Sequence, residues 1–144
     1  MLPFERIKII LDTNIWISFV IGKRLNEVER VLKSPYTKVF VCEKLIREVN
    51  DTLLKPKLRK YVSSERKNVL LKYMAACSSV LVHEQTIRSR DIGDDFLLDL
   101  AQAANADYLI TGDNDLLVLQ QHYQTAILNF NDFLSIFNKK HQPL

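Results

Sequence analysis

Hydrophobic positions along this chain fall into two patterns: short unbroken runs, and longer stretches spaced three and four apart. Residues 6–11, RIKIIL, are the first unbroken run; β-branched and apolar, they read as a strand buried on both faces. A short helix is expected at 14–20. Over 25–34 the apolar residues Leu25, Val28, Val31 and Leu32 recur at helical spacing until Ser34 and Pro35 stop the run. A second strand follows at 38–41, then a long helix at 43–54 with Leu45, Ile46, Val49 and Leu53 on one face and Pro56 beyond its end. The pattern predicts a helix at 64–76, a third strand at 79–82, a helix at 95–104 and a fourth strand at 108–110. A short helix at 114–119, a fifth strand at 126–128 and a closing helix at 130–138 complete the reading. Strands alternating with helices imply right-handed crossovers, a parallel sheet and helices on both its faces. The expected fold is therefore α/β, a three-layer α/β/α sandwich around a five-stranded parallel sheet. Functional groups belong at the carboxyl ends of its strands.

Composition narrows the class. With 144 residues, 47% hydrophobic and 26% charged, the chain suits one globular domain spanning 1–144, and no repeat or linker divides it. No apolar run approaches the roughly twenty residues of a membrane helix, so no membrane association is expected. Glu5, Arg6 and Lys8 interrupt the first ten residues, which argues against a secretion signal. Cys42 and Cys77 are isolated and read as free thiols of a reducing cytoplasm. The formal net charge is only +3, but it is unevenly spread. Asp91, Asp94, Asp95, Asp99, Asp107, Asp113 and Asp115 crowd one stretch, whereas Lys and Arg dominate from Lys23 to Lys72. A basic surface around an acidic pocket would suit a polyanion held for metal-assisted chemistry.

The acids fall where such a pocket would form. Asp12 ends the first strand, and Asp113 follows the fourth. Asp95 and Asp99 lie one helical turn apart, and Glu48 is midway along the 43–54 helix. Close carboxylates repel one another, so a cluster of them is stable mainly around a cation. Oxygen-only donors select Mg²⁺ or Mn²⁺ over zinc, and His83, His122 and His141 are too scattered to form a zinc set. Such an ion suits phosphodiester hydrolysis. Each acid also has an ordinary alternative. Asp12 suits a helix N-cap, as do Asp94 and Asp95; Glu48 suits a solvated helix face, and Asp113 with Asn114 suits a turn.

The segments ILDTNIWIS, VCEKLIREVNDTLLKPKLRKY and RDIGDDFLLDLAQAANADYLITGDNDLL, in that order, resemble PIN domains. More narrowly, they resemble the PIN-family toxins of toxin–antitoxin systems, distant relatives of the VapC ribonucleases. The resemblance covers nearly the whole chain and implies a compact α/β/α fold and a Mg²⁺- or Mn²⁺-dependent nuclease, chiefly of RNA. It implies catalytic and metal-binding roles for Asp12, Glu48, Asp95 and Asp113, with Asp99 as a further metal ligand. Asn14, Thr111 and Asp115 would support them. In place of the family's frequent Asp-Pro stands Asp91-Ile92-Gly93, which leaves open whether Asp94 or Asp95 faces the metal. By the same resemblance the early helices would form a homodimer and a groove for a cognate antitoxin.

Lys55 and Lys57, within KPKLRK, and Arg88 and Arg90, before the acidic helix, are the candidate nucleic-acid contacts. No aromatic residues alternate with these cations, so the sequence shows no stacking platform. The leading expectation is a metal-dependent ribonuclease, an endonuclease acting as the toxin of such a pair. The alternative is a catalytically inactive PIN-fold module that binds RNA or protein. A haloacid-dehalogenase-type phosphatase ranks last, because Asn14 stands where its second Asp would be.

Overall fold

The computed structural model describes residues 4–82 and 95–140 of the chain. Its central strand is β1 (Ile7–Leu11), with β2 (Thr37–Val41) parallel on one side and β4 (Tyr108–Ile110) parallel on the other. Beyond β2 lies β3 (Ser78–Ser79), and beyond β4 lie β6 (Thr125–Leu128) and then β5 (Gln121–His122), giving a six-stranded sheet in the order β3-β2-β1-β4-β6-β5. The five expected strands are present and pair in parallel with one another. The sixth, β5, runs antiparallel to β6 and makes the sheet mixed. This short hairpin is built without glycine: Gln120 and Tyr123 adopt left-handed φ angles of 61° and 54°. The third strand is also displaced. Its pairing follows the β2 register, Phe40 opposite Ser78 and Val41 opposite Ser79, and the apolar run after it leaves Leu81 88% exposed.

The helices fall close to their expected ranges: α1 (Thr13–Val20), α2 (Leu25–Lys33), α3 (Glu43–Leu53), α4 (Ser64–Ala76), α5 (Asp95–Ala104), α6 (Asn114–Leu117) and α7 (Phe130–Lys140). A 3-10 helix over Pro56–Tyr61, absent from the sequence reading, joins α3 to α4. Ser63 caps α4, its hydroxyl accepting from the Arg66 amide. Among the described residues no helix is long and apolar enough to cross a membrane.

Ile9, Ile10 and Leu11 of β1 are fully buried, as expected for a strand covered on both faces. Each such side chain contributes about 1.5–3 kcal/mol by leaving water. The indole of Trp16, also fully buried, donates to the Leu11 carbonyl at 3.1 Å and ties α1 to the end of β1. Helix α1 packs against α2, α3 and α4. Helix α3 buries Leu45, Val49 and Leu53, which leaves Glu48 and Thr52, one turn apart, together on its flank. Both cysteines are free, and burial pushes the Cys77 thiol up to about 12.

Candidate active site

Strand register creates the site. Ile10 pairs with Leu109 and Leu11 with Ile110, so the next residues, Asp12 and Thr111, emerge side by side at the carboxyl ends of β1 and β4. The Asp12 amide continues the ladder to the Ile110 carbonyl at 3.0 Å, and the Thr111 amide reaches Leu128 at 3.0 Å. The Thr111 hydroxyl donates to Asp12 Oδ2 at 2.6 Å and accepts from the Asp113 amide at 3.0 Å. Thr111 thus fixes both acids at once.

Asp12 occupies the N-cap position of α1, yet its side chain makes no capping hydrogen bond. Its carboxylate is turned toward Thr111 instead and is only 5% exposed. The capping alternative describes its backbone and not its chemistry. Burial pushes the Asp12 carboxyl above its ordinary range, and the charges of Glu48 and Asp113 push it further. The hydrogen bonds from the Thr111 hydroxyl and the Thr13 backbone pull it part of the way back.

Glu48 is brought in from α3. Its Oε2 accepts from the Thr13 hydroxyl at 2.6 Å, so the residue after Asp12 holds a second acid in place. Thr13 was missed in the sequence, where it stood between two more conspicuous residues; its position inside Asp12-Thr13-Asn14 was the available signal. Asp113 is the N-cap of α6, its Oδ1 accepting from the Asp115 amide at 2.9 Å. The turn expected of it and its position at the pocket are therefore compatible.

These groups line one open pocket of about 590 Å³ formed by Asp12, Thr13, Asn14, Glu48, Thr52, Lys55, Gly112, Asp113, Asn114 and Asp115. Asn14 is exposed at this pocket, and the side chain bonded to Asp12 is that of Thr111. Asp99 is buried within α5, 6% exposed, and the described residues lining the pocket do not include it. Asp94, Arg88 and Arg90 lie outside the described residues, as does the side chain of Asp95, whose backbone opens α5. Lys55 lines the pocket, whereas Lys57 is exposed on the neighbouring 3-10 helix.

The donor chemistry fits a hard divalent cation. The ionisable lining groups are carboxylates and one lysine, with no histidine or cysteine among the described lining residues. A cation would also relieve the repulsion that raises Asp12. Among the described residues, no three acids, histidines or cysteines already converge on one ion position.

Comparison with known proteins assigns the family. The PIN domain model matches residues 8–115, from β1 through Asp115, and so spans every candidate acid. An uncharacterized protein of Methanocaldococcus jannaschii, MJ1680, is 32% identical over 136 residues, covering 86% of this chain and 82% of that one. Among solved structures, PAE2754 from Pyrobaculum aerophilum superposes with a TM-score of 0.60 at 13% identity, over 94% of this chain and 91% of the other. The T. brucei RRP44 PIN domain superposes with a TM-score of 0.51 at 18% identity, over 96% of this chain and 84% of the other. The chain belongs to the PIN-domain family, whose members are generally nucleases.

Proposed function

We propose that this chain is a Mg²⁺- or Mn²⁺-dependent endoribonuclease, one nuclease domain over 1–144, acting in the cytoplasm as the toxin of a toxin–antitoxin pair. The observation that carries the nuclease reading is the Asp12 carboxylate. It is buried, bonded to Thr111 rather than capping α1, and faces the charges of Glu48 and Asp113 across an open pocket. An acid placed only for helix capping would accept from the second or third amide of α1, and the Asp12 side chain makes no such bond.

Asp12, Glu48 and Asp113 would hold the ion, together with Asp95 and Asp99 of the acidic helix as the family resemblance implies. When bound, the ion supplies charge neutralisation at the phosphate and a more acidic attacking water. The chain itself does the positioning. Thr111 orients Asp12, Thr13 orients Glu48, and the Asp115 amide fixes Asp113. Lys55 places a positive charge at a pocket whose other charged lining residues are acids, where an incoming phosphate needs one. The toxin role and the homodimer rest on the narrower sequence resemblance. A cognate antitoxin would act by covering this pocket.

The test is cleavage of a labelled structured RNA by purified protein in Mn²⁺, beside an EDTA arm and Asp12→Asn. Cleavage that requires both the ion and Asp12 supports the reading. RNA binding without cleavage in any arm would replace it with the binding-module alternative.

A further inference from the structure

Arg24, at the N-cap of α2, and the basic residues of α2 and α3 have identified partners. Arg24 pairs with Glu27, Lys33 with Glu29 and Arg47 with Glu43; Arg30 bonds Asn138, and Lys44 lies over the Phe96 ring. The 3-10 helix that follows is different. Lys55 at its N-cap lines the acidic pocket, and Pro56 begins the helix. Lys57, Arg59 and Lys60 are then all exposed, the segment contains no acid and buries no residue. Among the described residues no carboxylate forms an ion pair with any of these four cations.

The three-residue turn sorts this segment into lines. Residues three apart eclipse in a 3-10 helix, about 6 Å apart along its axis. Lys57 and Lys60 therefore form one line, and Leu58 and Tyr61 another. Leu58 packs against the core, whereas Tyr61 remains 53% exposed with the Lys60 ammonium 5.0 Å from its ring centroid. Aromatic–basic alternation along the sequence could not reveal this arrangement, because it depends on the turn. The result is a cationic ridge without a carboxylate partner among the described residues, beside an exposed ring and continuous with the pocket through Lys55.

We propose that the Pro56–Tyr61 helix is a phosphate track for the single nucleic-acid strand that leaves the pocket past Lys55. Lys57, Arg59 and Lys60 neutralise phosphates flanking the scissile one, and Tyr61 offers a face to a flanking base. This rests on the nuclease reading above and adds to it where the substrate runs outside the pocket.

The experiment compares wild type with a combined Lys57→Gln, Arg59→Gln, Lys60→Gln variant, none of whose substituted residues lines the pocket. Binding of a fluorescein-labelled single-stranded RNA of about twenty nucleotides is followed by anisotropy in EDTA across a salt series. Cleavage in Mn²⁺ is measured on that RNA and on a three-nucleotide fluorogenic reporter too short to reach the track. The variant is expected to lower the slope of log K against log salt by about 2, from roughly 0.7 per lost phosphate contact. It should raise KM for the long RNA about tenfold or more, leave kcat unchanged, and cleave the short reporter as wild type does. Tyr61→Ala should weaken long-RNA binding about tenfold, whereas Tyr61→Phe should not. Equal salt slopes for wild type and variant overturn the track, whatever the cleavage result, and would fit a surface made for an acidic protein instead. A changed slope with no cleavage in any arm overturns the nuclease reading and retains the track as a binding surface.

Discussion

At the amino ends of β1, β2 and β4, a pocket of about 560 Å³ is lined by Arg6, Lys8, Lys38 and Asp107 among others. At their carboxyl ends, one of about 590 Å³ is lined by Asp12, Glu48, Asp113 and Asp115 among others. The two ends commit their charges differently. Asp107 Oδ2 accepts from the Lys8 amide at 2.8 Å, while its own amide donates to the Lys8 carbonyl at 2.8 Å, splicing β4 to β1. The Arg6 guanidinium likewise serves the Thr37 carbonyl, at 3.1 and 2.6 Å. At the carboxyl end, Asp12 and Glu48 accept from threonine hydroxyls, and Asp12 feels the charges of Glu48 and Asp113 across the pocket they share. An acid bonded to main chain at a strand end holds the sheet together. An acid bonded to hydroxyls and facing its own kind is positioned for something from outside.

The same substitution should therefore be severe at one end and nearly silent at the other. Asp12→Asn is expected to reduce metal-dependent RNA cleavage by at least about a thousandfold, roughly 4 kcal/mol of barrier, with an unchanged circular dichroism spectrum. Asp107→Asn keeps an acceptor for the Lys8 amide and should leave both activity and melting temperature near wild type. If the two variants lost cleavage equally, the distinction between the ends would be wrong. Next in size, Thr111→Val removes the hydroxyl that links Asp12 to the Asp113 amide, and cleavage should fall about 10–100-fold, with Thr111→Ser restoring most of it. Asp107→Ala leaves the Lys8 amide without its acceptor at a cost of about 1–3 kcal/mol, read as a lower melting temperature with the rate per folded molecule unchanged.

The smallest effect concerns pH. A carboxyl held above its ordinary value keeps its proton in the folded state at pH values where the unfolded chain has released it. Its stability contribution is thus lost as pH rises from 3.8 through the raised folded value. Asp12→Asn removes that loss. In metal-free buffer the variant should melt above wild type at neutral pH, and the difference should close as the pH is lowered. A variant that melts below wild type at pH 7 would mean that the Thr111 hydrogen bond outweighs the burial and repulsion.

Much of this architecture could be read from periodicity. The run RIKIIL specified the central strand because a strand covered on both faces needs no polar alternation, and the bounds Ser64–Ala76 were readable from the pattern, although the cap is Ser63. The misses share a cause, since local sequence does not determine them. β5 depends on left-handed angles at Gln120 and Tyr123, residues that do not advertise them as glycine would. β3 takes its position from β2, and the Val80–Val82 run that looked like its body continues past the last ladder pair. At the site, the proposed acids could be picked out by type and spacing, whereas the hydroxyl of Thr13 acquired meaning only once α3 was packed against α1.

One consequence follows from the indole of Trp16. It is the chain's single tryptophan, fully buried, and its N–H is bonded to the carbonyl of the residue immediately before Asp12. The protein therefore carries an intrinsic optical probe at the root of its own pocket. Emission excited at the tryptophan band comes from one place only, and a shift on adding Mg²⁺ to wild type, absent in Asp12→Asn, would register occupancy of the pocket without label or substrate.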